Sequence, residues 1–211
     1  MDRLGPIGER ILSYFEGKNS ARDAALQRSR TLIRHCATAI RAAHRDEREL
    51  ARQHLDQANE IIQVLKADLG SYPDLYHMGY TQDAFKEYAE ASIVFALLGG
   101  EALPDPDELG VEYAAYLGGL GEAVGELRRR TLDILRREHS EEAERLLAMM
   151  DDIYGLLVTV DFPDAITGNL RRTTDLVRGL VERTRGDLTT SLQQSSLRAA
   201  LDAVEKKLDE R

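Results

Sequence analysis

The 211-residue chain has no Trp, a single Cys, five Pro and only 6% aromatic residues. A lone Cys excludes a disulfide framework and any Cys-based zinc or iron–sulfur site, so Cys36 reads as a small core residue in a reducing, cytoplasmic compartment. No apolar run approaches the ~18–20 residues a membrane span needs, and Met1-Asp2-Arg3 opens no signal peptide. Asx-Gly pairs and β-branched alternation are scarce, which leaves strands without support. With 43% hydrophobic and 31% charged residues the chain is neither disordered nor fibrous. Its 28 Lys and Arg against 37 Asp and Glu give a net charge of −9, which opposes indiscriminate nucleic-acid binding but permits a local basic surface.

What remains is helix. Pro6, Pro73, Pro104, Pro106 and Pro163 all stand at edges and leave long uninterrupted stretches. Start signals fall at Ser20, at Asp105 with Pro106 behind it, at Ser140 and at Thr190. These signals predict an all-α chain with helices near 4–17, 20–45, 46–69, 81–98, 107–138, 141–160, 166–186 and 190–209. The first two, and the second and third, have no obligatory break between them. A 107–138 rod would be about 48 Å long, more than a small bundle needs, and would suit contact with another subunit. The whole of 1–211 reads as one helical domain, with 1–19 as an N-terminal helical extension.

Two patterns carry chemistry. From Ala24 to Arg45 there is no carboxylate, and Arg30, Arg34, Arg41 and Arg45 fall four, seven and four residues apart. At ~100° per residue they share an arc of about 60°. Such a line repels itself unless it is merely solvated or meets a polyanion, and Arg suits phosphate through its rigid fork of donors.

The other pattern is acidic. Glu87 and Glu90 share a face with Val94 and Leu97, at the entrance of an apolar stripe. Glu122 and Glu126 flank a run of small residues, Ala114, Gly118, Gly121 and Gly125, whose four helical Gly (Gly119 included) cost roughly 3–4 kcal/mol relative to Ala unless another backbone comes close. A neighbouring helix would gather up to four carboxylates. Glu pairs at this spacing are commonly solvated charge; where such a cluster does hold an ion, the lack of Cys and His favours a hard one, Mg²⁺ or Mn²⁺. None of His35, His44, His54, His77 or His139 has a Glu three residues before it, which excludes a ferritin-like Glu-x-x-His site.

The run Tyr76-His77-Met78-Gly79, then FKEYAEA (85–91), YLGGLGEAVGELRR (116–129) and GNLRRTTDLVRG (168–179), resembles the translin family, and within it the translin-associated factor X branch and its archaeal-type relatives. The likeness runs from about Ala21 to Leu208. It implies a bundle of about seven helices that assembles into a hollow, barrel-like oligomer, an octamer or hexamer, binding single-stranded RNA and possibly DNA. For the factor X branch it further implies a metal-dependent endoribonuclease with an interior active site. Glu87 and Glu90 match the paired catalytic Glu of that branch, and Glu122 matches a third carboxylate that is usually Asp, a departure of one methylene. Glu126 matches a further acidic position. The resemblance also gives the arginine line a polyanion to meet, with Arg128, Arg129 and Arg130 as further candidates and Tyr76 and His77 placed to stack a base or reach a phosphate. The alternatives are a single-stranded nucleic-acid-binding protein that does not cut, and a purely structural helical assembly.

Overall fold

The computed structural model describes residues 3–136 and 141–209. Among them there is no strand, and six long helices alternate with three single turns: α1 (Leu4–His44), α2 (Arg48–Leu69), α3 (Pro73–Tyr76), α4 (Gly79–Leu98), α5 (Pro106–Leu109), α6 (Tyr113–Leu135), α7 (Glu141–Thr159), α8 (Asp164–Thr167) and α9 (Leu170–Asp209). No helix among the described residues is long and apolar enough to cross a membrane.

The chain divides into two compact units, one up to Gly119 and one from Leu120, with α6 running without a break through the division. In the first, α1 packs on both α2 and α4, and α2 on α4. Small residues make the close approach possible: Ala25, Ala39, Ala42 and Ala43 of α1 and Ala51 and Ala58 of α2 are all buried. Around them Leu32, Ile62, Leu65, Phe85 and Ile93 are fully enclosed. Each contributes roughly 1.5–3 kcal/mol by leaving water. In the second unit α7 packs on α9. There Arg128 donates to Thr184 Oγ1 at 2.8 Å and pairs with Asp187 at 2.8 Å.

The breaks explain where expectation and structure part. Segments 4–17 and 20–45 are one helix, with Ser20 inside it as an ordinary residue rather than a cap. Between α1 and α2 the two do separate, because Asp46 adopts a left-handed φ of 59°. The expected 107–138 rod is cut at Gly110, whose φ of 64° ends α5. Asp105 caps that single turn through a complete capping box, with Pro106 following it. What is left, α6, spans 23 residues, about 35 Å, so its length no longer argues for contact with a second subunit. Thr190, expected to open a helix, instead donates its hydroxyl to Gly186 O at 3.0 Å inside α9, and 166–186 and 190–209 join into one rod from Leu170. Ser140 and the end of the 107–138 segment lie outside the described residues.

Candidate metal centre

Helix α4 is anchored at its start. Thr81 Oγ1 donates to Leu75 O at 3.0 Å, and Gln82 Nε2 donates to Tyr76 O at 2.9 Å. From Ala91 to Leu97 every residue is buried, as an all-round apolar run requires. At its other end Arg48 donates to Phe95 O at 2.7 Å, a carbonyl that also accepts from Gly99 N at 3.2 Å, while its guanidinium lies 3.6 Å from the centre of the Phe95 ring. The helix is therefore held at both ends, which fixes the height at which Glu87 and Glu90 stand. Both are half-buried, and Lys86 Nζ lies 3.7 Å from Glu87 Oε1. Their field reaches the core: burial pushes the Cys36 thiol of α1 far up, and Glu87 and Glu90 push it in the same direction.

The first turns of α6 lie directly on α4. A Cβ on Gly119 would stand 2.7 Å from both Glu90 N and Lys86 O, and one on Gly118 would stand 3.1 Å from Lys86 Cδ. Gly121 is closed over by Thr173 of α9, whereas a Cβ on Gly125 would meet nothing within 4 Å. Backbone thus meets backbone at Gly119 alone, with side chains packed over Gly118 and Gly121, and not along the whole expected track. One turn beyond Gly119, on the same unbroken helix, is Glu122. Glu87, Glu90 and Glu122 each offer a carboxylate oxygen, and the three oxygens lie within 4.8 Å of one another. In an octahedral Mg²⁺ shell of ~2.1 Å radius, ligand oxygens are about 3.0 Å apart in cis and about 4.2 Å in trans. The donors therefore need only a small side-chain movement to close on an ion, and three of them leave positions open for water and phosphate. The two half-buried Glu and the exposed Glu122 fit a hard cation in donor type and number. Glu126 does not join the group; it pairs with Arg129 at 3.5 Å.

On the arginine line, Arg30, Arg34, Arg41 and Arg45 are all exposed. Arg45 leaves the set, because Glu47 takes its guanidinium in two hydrogen bonds of 3.0 and 2.9 Å. Arg30, Arg34 and Arg41 make no ion pair among the described residues. Arg34 is braced by Thr31 Oγ1 at 3.2 Å and Arg41 by Thr38 Oγ1 at 3.0 Å, and each Thr hydroxyl donates to the carbonyl four residues before it. The repeated Thr-x-x-Arg unit was legible in the sequence at a seven-residue spacing, and it aims two guanidinium groups alike. Arg128 and Arg129 are engaged by Asp187 and Glu126, so they do not add to the basic surface as expected. Exposed His77 stands edge-on to Tyr76 at 4.9 Å between ring centres. Tyr76 is a fixed part of the fold, donating to Glu112 Oε1 at 3.2 Å, and burial with the nearby Glu112 charge pushes its phenol up to about 12.

No family model matches the chain. An uncharacterised protein of Methanocaldococcus jannaschii is 32% identical over 197 residues, 92% of this chain and 87% of that protein. The crystal structure of AfC3PO is similar with a TM-score of 0.81 at 33% identity, covering 88% of this chain and 97% of that one. A structure of AfC3PO in complex with duplex RNA matches equally, at 0.81 and 33% over 88% of this chain and 96% of that one. Apo-NeC3PO, with a TM-score of 0.79 but 19% identity over 87% of this chain and 96% of that one, is similar in fold alone.

Proposed function

Because the chain belongs to the translin family, we propose that it is an RNA-binding, self-associating endoribonuclease of the factor X type, using Mg²⁺ or Mn²⁺ held by Glu87, Glu90 and Glu122. The observation that carries this reading is the convergence of three carboxylate oxygens within 4.8 Å at a helix contact built from Gly119. Glu87, Glu90 and Glu122 would hold a divalent ion there, which when bound would supply a water of lowered pKa and offset charge that builds on a phosphodiester. The chain's own part is positional. Half-buried Glu87 and Glu90 are held on a helix fixed at both ends, and Glu122 brings a ligand from a second helix.

Substrate enters the argument through α1. Arg30, Arg34 and Arg41 form an exposed cationic line with no ion pair among the described residues, and Arg34 and Arg41 stand about 10.5 Å apart along the helix, near the span of two nucleotide steps. Single-stranded RNA is the preferred substrate, single-stranded DNA a weaker one; the AfC3PO complex with duplex RNA makes a duplex the natural comparison. The test is cleavage of labelled single-stranded and duplex RNA with Mg²⁺, Mn²⁺ or EDTA. Metal-dependent cutting that E87Q abolishes, with RNA binding intact, supports the reading. Cutting that survives E87Q in a nuclease-free preparation removes the metal role. Binding without any cutting favours the alternative, a gripping protein, for which the extra methylene of Glu122 relative to the family's usual Asp is the specific reason.

A further inference from the structure

Lys86 stands beside the carboxylate centre without being one of its ligands. Consecutive residues of a helix point about 100° apart, so Lys86 and Glu87 do not face each other by helix geometry alone. Yet Lys86 Nζ lies 3.7 Å from Glu87 Oε1. Asp83, one turn earlier and the nearer helix neighbour, is exposed and makes no ion pair among the described residues. What turns the side chain is α6. Gly118 lies on the stem of Lys86, and a Cβ there would come 3.1 Å from Lys86 Cδ and 3.2 Å from Cγ. The bare backbone of Gly118 makes room for the stem, and only 24% of the side chain is left open. The stem is covered and the ammonium is directed toward the carboxylates instead of outward into water.

Charge decides what that ammonium is for. Glu87, Glu90 and Glu122 carry three negative charges, and a divalent ion among them would leave one uncancelled. A phosphodiester brings a further negative charge to the same place. In a partly desolvated site such charges repel more strongly than in water. One ammonium removes the excess. Lys suits the task because its three donors rotate, so it can keep Glu87 and still offer a hydrogen to another oxygen. On the basis of the metal-dependent nuclease proposed above, we propose that Lys86 binds the phosphodiester to be cut, donating to one of its non-bridging oxygens. Lys86 thereby admits a phosphate anion that the carboxylates alone would repel. The same positive charge opposes a metal bound beside it, and these two effects together distinguish Lys86 from a residue that only props Glu87.

The experiment joins calorimetric titration of Mn²⁺ to steady-state cleavage of labelled single-stranded RNA, with the full chain as wild type, K86M, K86R and E87Q. Met keeps the stem against Gly118, and circular dichroism checks that each variant is folded. K86M binds Mn²⁺ about threefold or more tightly than the wild type, because a neighbouring cation is gone. In the same variant kcat falls about thirtyfold or more, as loss of a charge-assisted hydrogen bond requires. Its KM stays within about threefold, since the arginines of α1 still hold the strand. K86R keeps the charge and regains most of the lost kcat. E87Q loses Mn²⁺ binding and cleavage together, which sets the metal ligand apart from the phosphate-binding residue. K86M that cuts as fast as the wild type overturns the proposal for Lys86 and leaves the metal centre standing. Weaker Mn²⁺ binding in K86M also overturns it, by making Lys86 a support for Glu87. K86R that cuts no faster than K86M overturns it as well, because charge is then not what the position supplies. A wild type that never cuts, with or without Mn²⁺ bound, overturns the proposed nuclease and the role of Lys86 with it.

Discussion

Gly119 of α6 lies on the backbone of Glu90, so close that a Cβ added to Gly119 would stand 2.7 Å from the Glu90 amide nitrogen. The neighbour is main chain, which cannot swing aside, so the contact is a spacer between two helices and their carboxylates. G119A should cost about 1–3 kcal/mol by forcing those backbones apart. The same substitution at Gly125, where nothing lies within 4 Å, should stabilise by about 0.8–1 kcal/mol through helix propensity alone. Thermal unfolding of the two variants checks the opposed signs. If G119A melts like the wild type, the helices are not held at that distance.

The grouping of Glu122 with Glu87 and Glu90, and the engagement of Glu126 by Arg129, separates two residues that look equivalent in the sequence. E122Q should weaken Mn²⁺ binding on the order of tenfold or more, since even outer partners of metal ligands are worth about that much. E126Q should change it far less. Calorimetric titration of Mn²⁺ into each variant measures this without reference to cleavage, and equal losses would place Glu126 among the ligands.

Much of this was legible in the residues. The all-round apolar run after Glu90 declared a buried helix, and the crowding of Gly in one helix declared a backbone contact, which is met at Gly119 on α4, while Gly118 and Gly121 meet side chains of α4 and α9. The arginine line was visible too, but not that Arg45 is spent on Glu47, because that pairing crosses the turn at Asp46 and lies outside any helical periodicity. The expected 107–138 rod failed for a local reason. Hydrophobic spacing continues through Gly110, and only the left-handed backbone there ends the helix. The reverse error at 187–189 arose because Thr190 looks like a cap, yet its hydroxyl is satisfied within the helix at Gly186. The His35–His54 contact had no sequence signal, since the two residues belong to different helices.

His35 and His54 join α1 to α2 through their Nδ1 atoms, 3.0 Å apart. One ring must donate and the other accept, so a doubly protonated pair loses the bond. Burial holds the His35 pKa below the usual 6.5, with the His54 and Arg34 charges acting the same way. A histidine whose pKa is depressed on folding contributes stability that is present above 6.5 and lost as pH falls from there toward the lowered folded value. The melting temperature should therefore drop below pH 6.5, and H35N, which cannot take up the proton, should flatten that part of the curve. An H35N profile parallel to the wild type would show that the pair does not couple to folding.

Arg34 and Arg41 differ from Arg45 in one respect that a salt titration can read. The first two are braced by Thr31 and Thr38 and make no ion pair among the described residues, whereas Arg45 is already neutralised by Glu47. Each phosphate contact on a single strand releases counterions and contributes about 0.7 to the slope of log affinity against log salt. R34A and R41A should each weaken RNA binding and reduce that slope by roughly 0.7, while R45A should leave it nearly unchanged because Glu47 competes for the same guanidinium. T31V and T38V separate charge from aim: they keep the Arg but remove the hydroxyl that orients it, so affinity should fall modestly with the slope intact. Fluorescence anisotropy of a labelled oligonucleotide from low to physiological salt gives both quantities. If R45A costs as much slope as R34A and R41A, then the whole line meets phosphate and the Glu47 pairing opens on binding. If none of the three moves the slope, RNA is held elsewhere and the exposed arginines of α1 are solvated charge.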